Sequence, residues 1–315
     1  MPEILDTWSL VAVYSATVVY FLSFFMFVLD LAKRSSQPKP LVEHASATAV
    51  SGSTAVMVRA QAPPRAHSSR AQRIGVALAI VGWAVHIAAT VLRGVAAERV
   101  PWANMYEFAL TGTAVIVGVF LVAQLWKDLR FLGAFIVGLV ILFLMLATLN
   151  YYVGVVPLHP ALQSAWLVIH VFAAAMGTGF FAIGTGLSVL QLLQGRPKPK
   201  MEWLGRLRST LPTAEKLESF AYRLNVVGFV LWTFTLICGA IWAERAWGRY
   251  WGWDTKEVWT FVIWVVFAGY IHARATRGWR GSRSAILGII GFATVLFNFV
   301  VVNTMFTGLH AYSGL

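Results

Sequence analysis

The chain has 315 residues, 58% of them hydrophobic and 12% charged, and its mean hydropathy is +0.70. A soluble domain carries about 25% charged residues, so this chain cannot clothe a water-facing surface, and a bilayer is its expected solvent. The net charge of +12 would suit nucleic acid by its sign, but its placement along the chain follows membrane topology.

A membrane helix needs about 20 mostly apolar residues. Eight such stretches are predicted, at about 8–31, 74–92, 107–125, 131–149, 167–193, 224–242, 259–273 and 284–306. The first follows Met1-Pro2-Glu3, lacks a basic leader and is long for a signal-peptide core, so it is expected to be an anchor. The seventh is short and is expected to begin within the preceding loop. The predicted fold is all-α and polytopic, with a first span (1–31), a basic loop (32–73) and a membrane domain (74–315).

Most basic residues fall in alternate loops. Lys33, Arg34, Lys39, Arg59, Arg65, Arg70 and Arg73 follow the first span, and Lys127 and Arg130 the third. Arg196, Lys198, Lys200, Arg206, Arg208, Lys216 and Arg223 follow the fifth, and Arg274, Arg277, Arg280 and Arg283 the seventh. The positive-inside rule makes that side cytoplasmic and puts both termini outside. The basic pI then reflects topology and contact with anionic lipid, with no nucleic acid as partner. The Ser-, Ala-, Pro- and Gln-rich stretch at 35–72 is expected to be disordered, with His44 and His67 solvated. "TAEKLESFAYRL" reads as a short amphipathic helix at the membrane surface. Cys238 is the single cysteine; the chain therefore has no CxxC redox pair, and a thiol in apolar sequence behaves as a small hydrophobe.

The outer face carries "WAERAWGRYWGWDTKEVWTFVIW". Trp242, Trp247, Trp251, Trp253, Trp259 and Trp264 fall within 23 positions. An interfacial aromatic belt explains one or two tryptophans, but not this density, nor the interleaved Gly248 and Gly252, which interrupt a plain helix. Flat aromatic faces with glycine clearance suit a large planar apolar ligand at the membrane surface. Arg249 and Lys256 are suited to its carboxylates, while Asp254 and Glu257 either neutralise these cations or orient neighbours.

His170, in "LQSAWLVIHVF", and His310, in "NTMFTGLHAY", fall on the same side as the tryptophans. Two imidazoles can close both axial positions of a haem iron. His272 lies 13 residues after Trp259, about 20 Å deeper on a helix, so it belongs to another site. An ionisable residue at that depth is a functional candidate: a ligand to a second haem, with His86 or a partner protein supplying the other bond, or a histidine hydrogen-bonded near the inner interface.

"WGRYWGWDTKEVWTFVIWVVFAGYIHAR" is similar to the tryptophan-rich WWD signature of the haem-handling proteins of cytochrome c biogenesis. With "LQSAWLVIH" before it and "GLHAY" after it, the pattern resembles the CcsA/ResC family. In "LRGVAAERVPWANMYEFAL", Pro101, Asn104, Tyr106 and Glu107 echo a further family element, so the resemblance covers about 74–315, with 242–259 as the external WWD segment. It implies that His170 and His310 ligate the iron of haem b beside that segment. Trp247, Trp251, Trp253, Asp254 and Trp259, with Arg249 and Lys256, belong to the same site. It also implies that His272 is the membrane ligand, paired with a histidine of a CcsB/ResB-like partner, which leaves His86 without a ligand role; His159 matches no family histidine.

The activity implied is presentation of reduced haem to an apocytochrome c at the outer face of a bacterial plasma membrane, where the CxxCH thiols add to the haem vinyl groups. This chain supplies no nucleophile, and a separate thiol reductase keeps the substrate cysteines reduced. A haem exporter without attachment activity and a structural assembly subunit are the alternatives; a quinone-linked haem oxidoreductase would need more paired membrane histidines.

Overall fold

The computed structural model describes residues 1–36, 69–155, 163–196, 202–276 and 278–310. His44, His67, His159 and most of the loop expected to be disordered lie outside them. The described residues form helices joined by turns: α1 (Pro2–Ser36), α2 (Arg70–Ala97), α3 (Met105–Trp126), α4 (Gly133–Asn150), α5 (Ala165–Gly195), α6 (Glu202–Thr210), α7 (Ala214–Trp247), α8 (Thr255–Thr276), α9 (Ser282–Phe297) and a last turn, α10 (Asn303–Met305). A π turn, Asn298–Val302, joins α9 to α10. Among the described residues eight helical segments are long and apolar enough to cross a membrane, and they coincide with the eight predicted spans. The seventh begins at Thr255, inside the loop, as its length required.

Several helix starts follow from capping. Ser69 accepts the Gln72 N–H at 3.0 Å, and Asn104 accepts the Glu107 N–H at 2.9 Å, each satisfying an amide donor that the first turn leaves open. One expectation is corrected. "TAEKLESFAYRL" is not a separate surface helix but the opening turns of α7. Leu217 and Ala221 are buried in the core, and the Glu218 carboxylate accepts the Gly281 N–H at 2.9 Å. These contacts draw the amphipathic stretch into the bundle.

Polar contacts identify the two ends of the bundle. At one, Arg34 reaches Gln72 at 2.8 Å, and Arg274 reaches the Glu218 carbonyl at 3.0 Å. At the other, Arg93 of α2 is fully buried. Its Nε donates to Glu107 at 3.0 Å, its Nη2 to the Val153 carbonyl at 2.7 Å, and its Nη1 pairs with Asp6. Glu107 also takes Arg99 at 2.6 Å and the Ala103 N–H at 2.9 Å. A guanidinium in a low-dielectric interior persists only when every donor and charge is answered. This network ties α1, α2, α3 and the segment after α4 together, and it holds Trp102–Met105 at the lip of the cavity described below.

Replacing Arg93 by alanine leaves Asp6 and Glu107 without their shared cation, an expected loss of about 3–5 kcal/mol. Thermal unfolding in detergent micelles should show a large fall in midpoint for Arg93→Ala and a smaller one for Arg93→Lys. An Arg93→Ala midpoint equal to that of the parent protein would contradict this account.

Candidate functional site

The tryptophan-rich segment is the turn between α7 and α8. α7 is capped by Gly248, which has φ 71°. α8 opens on a reciprocal cap in "DTKE". Glu257 accepts the N–H groups of Gly252 at 2.8 Å and Asp254 at 3.1 Å, and Asp254 accepts the Lys256 N–H at 3.2 Å. Both carboxylates sit where unsatisfied donors and the helix dipole favour negative charge. Glu257's bonds bracket Trp253, whose φ of 60° is unusual for a bulky residue and costs about 1–2 kcal/mol. The Trp253 side chain is 77% exposed.

The structure brings His170 and His310 to one place. On α5, His170 Nδ1 lies 2.9 Å from the Thr235 carbonyl oxygen of α7. A carbonyl only accepts, so the proton is on Nδ1 and Nε2 keeps its lone pair. His310 Nδ1 lies 2.8 Å from Asp254 Oδ2, and the same reasoning leaves its Nε2 as the basic nitrogen. Trp242 packs against both rings. Its centroid is 6.0 Å from His170, nearly parallel at 19°, and 5.5 Å from His310. Trp247 packs edge-on against Trp242 at 4.7 Å and His310 at 4.9 Å. Gly239 lets His170 lie this close to α7, because a Cβ there would stand 2.7 Å from Cε1 of the imidazole.

Both histidines border a cavity of about 230 Å³. Trp102, Trp242, Tyr250 and Trp251 line it near the histidines, and Ile116, Phe143, Thr178 and Phe292 line it deeper among the helices. Lys256 borders it too, but its Nζ donates to the Asn298 carbonyl at 2.8 Å and to Asn303 Oδ1 at 2.6 Å. Those partners open and follow the π turn, a distortion frequent at functional sites. The Arg249 guanidinium lies over Trp247 and 3.5 Å from Glu257. Hydrogen bonds from His310, from the Leu309 N–H and from the Lys256 N–H, the first the largest, hold the Asp254 carboxyl below the usual carboxylate range.

The remaining expected site residues are dispersed. Trp259 packs on Phe297 at 4.2 Å, and Trp253 meets Trp251 at 5.8 Å on the outside. His272 is exposed on α8 and does not border the cavity. His86 is fully buried on α2, 3.3 Å from the Tyr20 hydroxyl of α1. Among the described residues no group of three or more His, Cys, Asp or Glu side chains is arranged for a metal ion. Sequence reasoning missed Thr235, Gly239, Asn298, Asn303 and Gly308. Asn298 and Asn303 carried a signal, since amides in an apolar span demand partners; a threonine that acts through its backbone carbonyl carries none.

A chain of eight membrane helices, with two imidazoles and an indole pair gathered at one end, is a polytopic membrane protein with an apolar pocket bearing nitrogen donors at that end. The family model for "Cytochrome C assembly protein" matches residues 102–310. The chain is similar to "Cytochrome c biogenesis protein CcsA" of Trieres chinensis, at 31% identity over 256 residues, 71% of this chain and 81% of the relative. It is similar to that of Guillardia theta at 33% over 232 residues, 68% and 77%. The protein of the same name from Prochlorococcus marinus shares 40% over 177 residues, 49% and 56%. The solved structure of "Cytochrome c Heme Lyase CcmF" shares the fold, with TM-score 0.64 and 14% identity, over 95% of this chain and 46% of that one. The chain belongs to the CcsA family of cytochrome c assembly proteins, and its role lies in cytochrome c biogenesis.

The depressed Asp254 ionisation gives a pH dependence. A carboxyl whose folded pKa lies below its unfolded value, near 3.9, contributes fully above that value and loses its contribution as pH falls through the folded pKa. The tie between His310 and the α8 start is therefore expected to hold at neutral pH and to release only below the ordinary carboxylate range. Emission from Trp242 and Trp247, followed on acidification, should show that transition, and Asp254→Asn should abolish it. A transition unchanged in Asp254→Asn would assign it to another group.

Proposed function

We propose that the pocket between His170 and His310 receives haem as substrate and presents it for thioether attachment to the CxxCH motif of an apocytochrome c. The observation that carries this reading is the pairing of the two imidazoles: both are fixed through Nδ1, both keep Nε2 free, and both border one apolar cavity. A planar apolar macrocycle with a nitrogen-seeking metal fits that donor set. Two nitrogen ligands hold the iron in place and keep oxygen from it, and indole faces supply the contact area.

Attachment needs no nucleophile from this chain. Each substrate thiol adds across a vinyl double bond: sulfur bonds to one carbon, the thiol hydrogen ends on the other, and nothing leaves. The chain contributes orientation and the exclusion of competing reactions. The substrate histidine replaces one of the two protein imidazoles as the product departs. A separate thiol reductase keeps the substrate cysteines reduced.

His272, exposed on the side of α8, serves a second haem position within the membrane, completed by a CcsB/ResB-like partner. The positive-inside rule supports a cytoplasmic basic end, so on this reading the pocket opens on the extracytoplasmic face, with a bacterial plasma membrane as the proposed location.

The purified protein should show the Soret and visible bands of low-spin haem b, and the His170→Ala, His310→Ala double variant should lose the outer haem while remaining folded. Reconstituted with its partner, the parent protein should form pyridine-haemochrome-detectable thioethers on a CxxCH peptide. Haem binding without thioethers would identify a carrier alone. A colourless, folded preparation would leave the tryptophans as membrane anchors. Gly239→Ala, which pushes on the His170 ring, should lower haem retention about tenfold, the cost of disturbing a ligand's surroundings, with little change in thermal midpoint; full retention would show that His170 need not sit against α7.

A further inference from the structure

Asp254 stands in the middle of the tryptophan segment, where a ligand contact would be expected, yet its carboxylate is turned toward the protein. Oδ1 accepts the Leu309 N–H at 3.0 Å, and Oδ2 accepts the His310 Nδ1–H at 2.8 Å and the Lys256 N–H at 3.2 Å. His310 borders the large cavity and Asp254 does not. Gly308 is part of the arrangement, since a Cβ there would collide with Asp254 Oδ1. The two imidazoles are thus held by unlike acceptors: a neutral peptide carbonyl for His170 and a carboxylate for His310.

We propose that Asp254 is a positioning residue that acts through His310, fixing the Nδ1–H tautomer and making Nε2 of that ring the stronger iron donor of the pair. This rests on the haem reading above. A carboxylate that accepts from an imidazole N–H raises the basicity of the opposite nitrogen and locks the ring orientation. It also stabilises the ferric over the ferrous state, because the added negative charge is felt more by the higher-charged metal. Asparagine cannot do the same. With its oxygen on the Leu309 N–H, its amide nitrogen faces His310 Nδ1 and drives the ring proton onto Nε2, where no metal bond can form. With the amide reversed, its nitrogen meets the Leu309 N–H and the tail loses its acceptor.

The test is a double-mutant cycle on the full chain in detergent, read by haem affinity from the Soret band and by midpoint potential. In the parent background, Asp254→Asn should lower outer-site haem affinity tenfold or more and raise the potential; a tenfold loss of ferric preference reads as about 59 mV for a one-electron couple. In a His310→Gly background supplied with free imidazole, whose tautomer needs no protein carboxylate, Asp254→Asn should change affinity by less than about twofold, the limit of additivity. Equal losses in both backgrounds would overturn the proposal, because Asp254 would then act on the fold or on haem directly; so would no loss in the parent background. Should Asp254→Asn fail to fold, Gly308→Ala, which displaces the same carboxylate, carries the cycle. If His310→Gly without imidazole leaves haem binding untouched, the haem reading itself fails, and that result is distinct from either outcome for Asp254.

Discussion

The pocket end of this protein depends on one carboxylate that joins two distant parts of the chain. Asp254 caps the start of α8 and receives the Leu309 N–H and His310 Nδ1–H from the segment after α10. That junction holds His310 where it meets Trp242 and Trp247, although α10 ends at Met305 and the described residues beyond it are not helical. His170 needs no such help. It projects from α5, a long helix packed along α7, and only the absence of a side chain at Gly239 decides how near it comes. The pocket therefore combines a rigid imidazole and a docked one.

A membrane interior makes every buried polar group answerable, and the structure shows two ways of meeting that demand. Arg93 is satisfied by charge, with carboxylates from two helices and a carbonyl from a third segment. Lys256 is satisfied by backbone distortion, since the π turn after α9 presents the Asn298 carbonyl and the Asn303 amide to one ammonium. Both lie at the end that holds the pocket. Arg93 secures the Trp102 lip, and Lys256 fastens α8 to the π turn. The polar clusters are thus the frame of an apolar chamber.

Much of this was legible in the chain, and the boundary of legibility is physical. The eight spans are readable because a long apolar run has few alternatives to a membrane helix, and the Trp-rich segment because its density exceeds what an interface requires. His170 and His310 could be grouped by topology alone. The fate of individual tryptophans could not. Trp259 turns to Phe297 and Trp253 turns outward, and only the left-handed backbone at Trp253 sends it there. Nor could the sequence separate a cation that meets a ligand from one that meets partners within its own chain. Arg249 and Lys256 were equally suited to carboxylates, and both have partners within the chain. The opening turns of α7 look amphipathic for the same reason that misplaced them: the polar face that suggests a membrane surface includes Glu218, which here accepts from Gly281.

The engagement of both cations bears on how a planar substrate would be held. If Lys256 and Arg249 were free, an anionic ligand could gain most of its affinity from ion pairs, and its orientation would follow its carboxylates. With Lys256 bonded to Asn298 and Asn303, an ion pair there must first give up two hydrogen bonds, each of which contributes about 1.5–3 kcal/mol when one partner is charged. Arg249, near the surface over Trp247, is the less costly of the two to redirect. On the haem reading, the affinity then comes mainly from two metal–nitrogen bonds and indole contact, with carboxylates left toward the rim. Such a site releases its substrate once one nitrogen is replaced, because no strong ionic tether remains. If the protein hands haem to another chain, as proposed, that balance serves it better than a pocket that binds both the metal and the carboxylates tightly.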